Sequence, residues 1–246
     1  MSLPNILAII PVRYHSTRFP RKALVDIGGK SMVQRVYEQA KKSQFLKKVI
    51  VATDDERIAD HVQKFDGEVI LTGEHHNGTS RCWEAAKKSG VIADFVLNIQ
   101  GDEPFIQPEQ IDQLCNGLTM DVKIASMAKR IRDERTLLDP NCVKVVLNKN
   151  KEALYFSRAT IPHVRSIDKE KWIGEITFYK HIGLYAYQYH TLSQLVKLPK
   201  TELEQAENLE QLRWIYHGFK IQMIVTKLES IGIDRPEDVD KAIRSL

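Results

Sequence analysis

Residues 9–22 read IIPVRYHSTRFPRK, an apolar run that gives way after Val12 to a polar loop. The apolar part, LAIIP at 7–11, is short and rich in β-branched residues, which is the pattern of a buried strand. The loop that follows carries Arg13, Ser16, Thr17, Arg18, Arg21 and Lys22, four of them cations within ten residues. At the carboxyl end of the first strand of an α/β sheet, such a loop lies in the crevice where ligands bind. Its cations and hydroxyls then suit a polyphosphate. Spacing alone also describes a solvated basic turn, so the reading depends on whether the neighbouring segments build such a sheet.

They alternate as an α/β sheet requires. Ser31 to Lys42 places Met32, Val36 and Ala40 on one side with Ser31 as N-cap, which predicts a helix. KVIVAT (48–53) is the next strand, and Asp54 to Lys64 spaces Ile58, Val62 and Phe65 as a second helix closed by Asp66-Gly67. This order predicts a parallel sheet with helices on both faces. Further short apolar runs occur at FVLNIQ (95–100), VKVVL (143–147), HIGLYAY (181–187) and KIQMIVT (220–226). Thr201-Glu-Leu-Glu204 has capping-box spacing, and Gly218 supplies a stop after His217, which predicts one long helix between them. The chain shows no internal repeat and no Pro/Gly/Ser-rich linker. Residues 1–246 are therefore expected to form one α/β domain, with about 155–187 as the irregular insertion.

The composition, 43% hydrophobic and 28% charged, excludes disordered and collagen-like classes. No stretch reaches the roughly 18–20 apolar residues of a bilayer span, and the run Ile6 to Val12 lacks a basic lead-in. A cytoplasmic, unprocessed protein with no membrane partner is expected. Net charge is +4, from 36 Lys and Arg against 32 Asp and Glu, and no basic arm gathers it, so nucleic acid is not expected as a partner. Cys82, Cys115 and Cys142 are odd in number and too dispersed for zinc or CxxC chemistry, and are read as reduced.

Two familiar nucleotide motifs fail. DIGGKS (26–31) ends like a Walker A loop, but Leu24 stands where that motif needs its first glycine, so Gly28-Gly29 is read as a turn. No GxGxxG follows the first strand, which removes the dinucleotide fingerprint. NIQGDEP (98–104) is more informative, because a strand ends at Gly101 and presents Asp102 and Glu103 before Pro104. Mg²⁺ prefers one or two carboxylates plus phosphate oxygens, so Asp102 opposite a phosphate cradle suits it. A turn acid capping the next helix is the alternative. SIGIDRPEDVDKA (230–242) offers a second acid, Asp234, also readable as an N-cap, with Pro236 to Asp238 opening the last helix. TGEHHNGTSR (72–81) is a polar loop suited to base or sugar recognition; its adjacent histidines are a poor zinc signature.

In order, IIPVRYHSTRFPRK, VATDDERI, NGTSR, NIQGDEP, ALYFSRATIP, YKHIGLYAY, LEQLRW and GIDRPED resemble the 3-deoxy-manno-octulosonate cytidylyltransferases, the CMP-Kdo synthetases of Gram-negative bacteria. The resemblance runs from about Ile6 to Ala242. It implies an α/β nucleotide-diphosphosugar-transferase fold, a GT-A-like α/β/α sandwich with a mixed, mainly parallel sheet. It also implies a homodimer built in part from the 155–187 insertion. The implied reaction joins CTP and Kdo to give CMP-Kdo and diphosphate with Mg²⁺, for lipopolysaccharide.

Position by position, the resemblance implies that Arg13, Ser16, Thr17, Arg18 and Lys22 hold the triphosphate, with Pro11 beside them. Ala52, Thr53, Asp54, His75, Gly78, Thr79 and Arg81 would surround cytidine, along with Gln100. Asp102 and Asp234 match the metal acids, and Arg18, Lys22 and Asp102 the catalytic positions. Gln100, Arg158, His181, Tyr185, Glu210 and Gln211 match the Kdo-facing positions. Three departures border these ligands: Arg21 where the family usually has glycine, Ser80 where an acid is common, and SIGIDRP in place of the frequent GTGVDTP. The rival readings are a cytidylyltransferase for a related acid sugar such as 8-amino-Kdo, a non-catalytic nucleotide-binding protein on this fold, and a GT-A glycosyltransferase. The last usually needs a DxD-like pair where this chain has Gly101-Asp102-Glu103-Pro104.

Overall fold

β1 (Ile6–Pro11) is buried on both faces, with Ile6, Ala8 and Ile10 in one hydrophobic cluster and Leu7 and Ile9 in another. That period-two split is what a strand between two helical layers requires. The computed structural model describes residues 4–15, 19–229, 232–233 and 235–244.

On the first face, α1 (Met32–Lys41) contributes Val33, Val36, Tyr37 and Ala40. Ser31 caps it by accepting from the Gln34 N–H at 3.3 Å. β2 (Leu46–Thr53) and α2 (Glu56–Gln63) follow, with Asp55 as the N-cap, so the helix expected from Asp54 begins two residues later. β3 (Val69–Leu71), α3 (Gly78–Lys88), β4 (Phe95–Asn98) and α4 (Pro108–Asn116) continue the alternation. α3 puts Cys82, Ala85 and Ala86 on the second face, while α4 puts Ile111, Leu114 and Cys115 on the first. The expected three-layer α/β arrangement is therefore present.

The sheet order is β3-β2-β1-β4-β8-β5-β9, where β5 is Ile124–Arg130, β8 is Tyr179–Gln188 and β9 is Gln222–Thr226. Its first four strands are parallel. β8 then enters antiparallel to both β4 and β5, so the sheet is mixed. α5 (Glu134–Leu138) leads to β6 (Lys144–Leu147), which branches off β8 and pairs with β7 (Ala153–Ser157). Between β7 and β8 lie irregular chain and the single turn α6 (Trp172–Glu175), whose Trp172 packs with Phe178, Ile131 and Leu137 in a small separate cluster.

After β8 come α7 (Tyr189–Leu195), α8 (Glu202–Glu207) and α9 (Gln211–Tyr216), with α10 (Pro236–Ile243) last. The single long helix expected over 201–217 is corrected to two short ones. Asn208 adopts φ 52°, ψ 50°, the left-handed conformation that asparagine tolerates and that ends a helix. Only the N-cap half of the expected capping box is seen: Thr201 accepts from the Glu204 N–H at 3.3 Å, while both Glu204 carboxylate oxygens accept from Arg213. Among the described residues no helix is long and apolar enough to cross a membrane. The three cysteines are unbridged.

Candidate active site

A cleft of about 240 Å³ opens at the carboxyl edge of β1 and β4. It is lined by Pro11, Arg13, Lys22, His75, Gly78, Arg81, Gln100 and Asp102 among the expected residues. Ser16, Thr17, Arg18 and Asp234 lie outside the described residues.

The loop after β1 is anchored where Val12 N–H donates to the Ala52 carbonyl at 2.9 Å, so Ala52 ties the loop to β2. The chain then turns at Arg21, whose N–H donates to the Tyr14 carbonyl at 3.1 Å. Arg21 has φ 58°, a left-handed position that favours glycine. Its guanidinium lies 5.8 Å from the Tyr14 ring centroid, and that of Arg57 lies 3.4 Å from the same ring. Left-handed backbone costs a non-glycine residue about 1–2 kcal/mol, and glycine costs roughly 0.5–1 in unfolded-state entropy. Arg21→Gly is therefore expected to raise the unfolding free energy by about 0.5 kcal/mol, read as a higher denaturant midpoint; a lower midpoint would mean that the Tyr14 contact outweighs the strain.

Lys22 follows in a short 3-10 turn, and its Nζ donates to Asp102 Oδ2 at 2.7 Å. Asp102 reaches it because Gly101 packs its backbone against the end of β1. A Cβ at Gly101 would sit 2.3 Å from Val12 Cγ1 and 3.1 Å from the Pro11 carbonyl oxygen, so no larger residue fits without moving the turn. The Asp102 side chain keeps 39% of its exposure, which leaves it open to a ligand. The N-cap of the following helix α4 is Gln107, so Asp102 is not a helix cap. The Asp102 carbonyl accepts from Ile233 N–H at 2.9 Å.

The opposite wall is the start of α3. Asn77 caps it by accepting from Ser80 N–H at 2.8 Å, and Asn77 and Gly78 line the cleft with the helix N-terminus behind them. His75 is fixed by Ser80 Oγ at 3.0 Å and Glu84 Oε2 at 2.6 Å. Hydrogen bonds from Lys88, His75 and the Gly73 N–H hold the Glu84 carboxyl down at about 2, against the cost of burial. Arg81 is buried and braces the wall, donating to Asp54 Oδ2 at 2.8 Å and Thr72 Oγ1 at 2.7 Å. Thr53, Asp54 and Thr79 are not among the lining residues; Thr53 and Thr79 are buried and Asp54 is exposed.

The expected sugar-facing residues divide. Gln100 lines the first cleft. His181 lines a second cleft of about 710 Å³, together with Glu103, Asp139, Asn141, Lys180 and Gly183. The two adjoin, since a Cβ at Gly183 would lie 3.7 Å from Gln100 Cγ. Thr79 Oγ1 donates to Glu210 Oε2 at 2.7 Å, joining α3 to the α8–α9 junction. Burial raises the Glu210 carboxyl, against the Thr79 hydrogen bond and Arg213. Arg213 is itself locked on Glu204 by bonds of 2.7 and 2.5 Å. Gln211 and Tyr185 are buried, and the Tyr185 hydroxyl finds no hydrogen-bond partner among the described residues. Arg158 spends its Nε on the Glu207 carbonyl at 2.8 Å. Val12, Ala23 and Gly101 also line the first cleft; their apolar or absent side chains carried no functional signal.

Burial pushes the His181 imidazole down to about 3, and its Nε2 faces Ser126 Oγ at 2.9 Å. An unfolded histidine titrates near 6.5, so the folded protein binds fewer protons between those values. The stability this group contributes is present above about pH 6.5 and is lost progressively as pH falls toward 3. Between pH 7 and pH 5 it accounts for about 2 kcal/mol, so His181→Gln should flatten the pH dependence of the unfolding free energy in that window. An unchanged slope would place the titration elsewhere.

A cationic loop and an acid facing each other at the strand ends, beside a helix N-terminus, define a nucleotidyl-transfer site on an α/β sandwich. Residues 7–223 match a family model described as Cytidylyltransferase. The chain is 52% identical over 237 residues to 3-deoxy-manno-octulosonate cytidylyltransferase of Cytophaga hutchinsonii, covering 96% of this chain and 95% of that one. It is 44% identical to the protein of the same name from Geobacter sulfurreducens, over 98% and 99% of the two chains. A solved structure of CMP:2-keto-3-deoxy-manno-octonic acid synthetase complexed with CTP aligns at TM-score 0.91 and 38% identity, covering 98% of each chain. A 4-diphosphocytidyl-2C-methyl-D-erythritol synthase from Anaerococcus prevotii, 16% identical with TM-score 0.64 over 98% and 96% of the chains, shares the fold alone. The protein belongs to the 3-deoxy-manno-octulosonate cytidylyltransferase family.

Proposed function

We propose that the protein transfers CMP from CTP to Kdo, giving CMP-Kdo and diphosphate, as a cytoplasmic homodimer. The observation that carries the reading is the Lys22–Asp102 pair at 2.7 Å across the cleft, in a chain 52% identical to a protein named for this activity. The Kdo anomeric hydroxyl attacks the α-phosphorus of CTP in line; the bond from that phosphorus to the bridging oxygen breaks, diphosphate leaves and the hydroxyl proton passes to solvent. Arg13, Ser16, Thr17, Arg18 and Lys22 are assigned to the triphosphate. Lys22 meets the charge that develops on the leaving diphosphate, as does Arg18. Ala52 to Asp54, His75 and Gly78 to Arg81 are assigned to cytidine, Pro11 to the nucleotide beside the triphosphate residues, and Gln100 to the place between nucleotide and sugar. Arg158, His181, Tyr185, Glu210 and Gln211 are assigned to Kdo. Of the expected 155–187 insertion, the two ends are the strands β7 and β8 of the sheet, and the irregular stretch 158–178 between them is assigned to sugar binding and to the dimer.

The donor set fits a hard divalent cation. Asp102 presents carboxylate oxygens that stay open to the cleft, and phosphate oxygens and water complete what Mg²⁺ prefers. Asp102 and Asp234 would hold Mg²⁺, which supplies charge neutralisation on the phosphates when bound. The testing experiment measures diphosphate release from CTP with Kdo, 8-amino-Kdo or sialic acid, with UTP as control. CTP-dependent release fastest with Kdo is expected. Preference for 8-amino-Kdo would keep the chemistry and replace the sugar, and release with none would overturn the reading.

A further inference from the structure

Lys144 is fully buried in β6, where a charged side chain needs strong compensation. Its ammonium has three donors, and all three are spent on main-chain carbonyls: Asp139 at 2.8 Å, Cys142 at 2.6 Å and Arg158 at 2.6 Å. Burial lowers its pKa. Such a group is costly as a mere filler, since an apolar side chain of that length would pack in β6 without a desolvation penalty. What it does instead is tie two pieces of chain, the 139–142 turn and Arg158, to β6 at the sugar half of the site.

Asp139, Asn141 and Cys142 form one wall of the second cleft. Val143, next to Lys144, accepts the His181 N–H at 2.8 Å, so the same strand also holds His181. Arg158 is tied on its other side to Glu207, whose Oε2 accepts its N–H at 2.9 Å and whose carbonyl accepts its Nε at 2.8 Å. Ser157 Oγ donates to Glu207 Oε1 at 2.5 Å. Glu207 ends α8, one residue before the left-handed Asn208 that starts the turn to Glu210. One ammonium thus fixes the wall beside His181, the main chain of Arg158 and, through Glu207, the approach to Glu210.

We propose that Lys144 is a positioning residue for the acid-sugar subsite, acting through the Asp139–Cys142 turn and Arg158 without touching the substrate. The inference rests on the assignment of Arg158 and His181 to Kdo made above. Lys144→Met keeps the length and removes the three donors. Because a displacement on the order of 1 Å can cost up to about a hundredfold, the variant is expected to raise KM for Kdo roughly tenfold while the Kd for CTP stays within about twofold. Unchanged KM for Kdo, or a parallel loss of CTP binding in a cooperatively folded variant, would overturn the proposal. If Lys144→Met does not fold, Glu207→Gln loosens the same frame from its other side. It should then raise KM for Kdo several-fold with CTP binding kept, and no change would overturn the proposal. Arg158→Ala separates the two levels. If it leaves KM for Kdo unchanged, the Arg158 assignment fails; if it raises that KM while Lys144→Met is silent, only the positioning role fails.

Discussion

Asp102→Asn is expected to lower kcat about 10²–10³-fold, the usual loss when one aimed electrostatic group is removed from a transition state. The substitution keeps the carbonyl that accepts from Ile233 N–H and the Gly101 contact that sets the turn, so the fold and the position of the side chain persist. What disappears is the charge that meets Lys22 Nζ at 2.7 Å and that would hold Mg²⁺. The kinetic signature is a fall in kcat with a raised Mg²⁺ requirement, while CTP affinity measured by calorimetry changes little. Near-normal turnover would remove Asp102 from the metal assignment.

Lys22→Ala is expected to reduce kcat by about 10²-fold, with a smaller effect on KM for Kdo, because the ammonium meets charge that grows as diphosphate leaves. Lys22 and Asp102 are in direct contact, so their losses should not add. A double variant losing less than the product of the two single factors is the expected coupling between touching groups. An effect confined to the Kdo KM would contradict the role given to Lys22.

The parts of this molecule that are legible in its sequence are those whose physics is local. β1, β2 and β4 are short apolar runs buried between helices, and the loop after β1 brings Arg13 and Lys22 to one cleft, so both the strands and the cationic loop can be read directly. β5 reads IASMAKR, with few β-favouring side chains, and becomes a strand because β8 and β9 flank it. The antiparallel entry of β8 leaves no mark on its own sequence; the family resemblance, not periodicity, carries the expectation of a mixed sheet. Asn208 splits an expected long helix because one residue in the left-handed region overrides an amphipathic pattern that continues on both sides.

The same division holds for the site. Asp102 can be placed beyond a strand from NIQGDEP alone, and the glycine before it reports the close approach that carries it to Lys22. The link from Thr79 to Glu210 spans 131 residues, and nothing in either segment announces the other. Lys144 sits in a plain apolar run, VKVVL, where a lysine reads as a solvated strand residue until the three carbonyls around it are seen. Glu84, which fixes His75, likewise reads as one more surface acid of α3.

The most direct test follows the label from CTP. With Mg²⁺ and Kdo present, phosphorus-32 at the α-position should appear in a sugar-linked nucleotide, and label at the γ-position in diphosphate, both only when Kdo is added. Label from the γ-position in orthophosphate, or α-label that stays in free nucleotide while CTP is consumed, would contradict attack at the α-phosphorus and with it the assignment of the cleft.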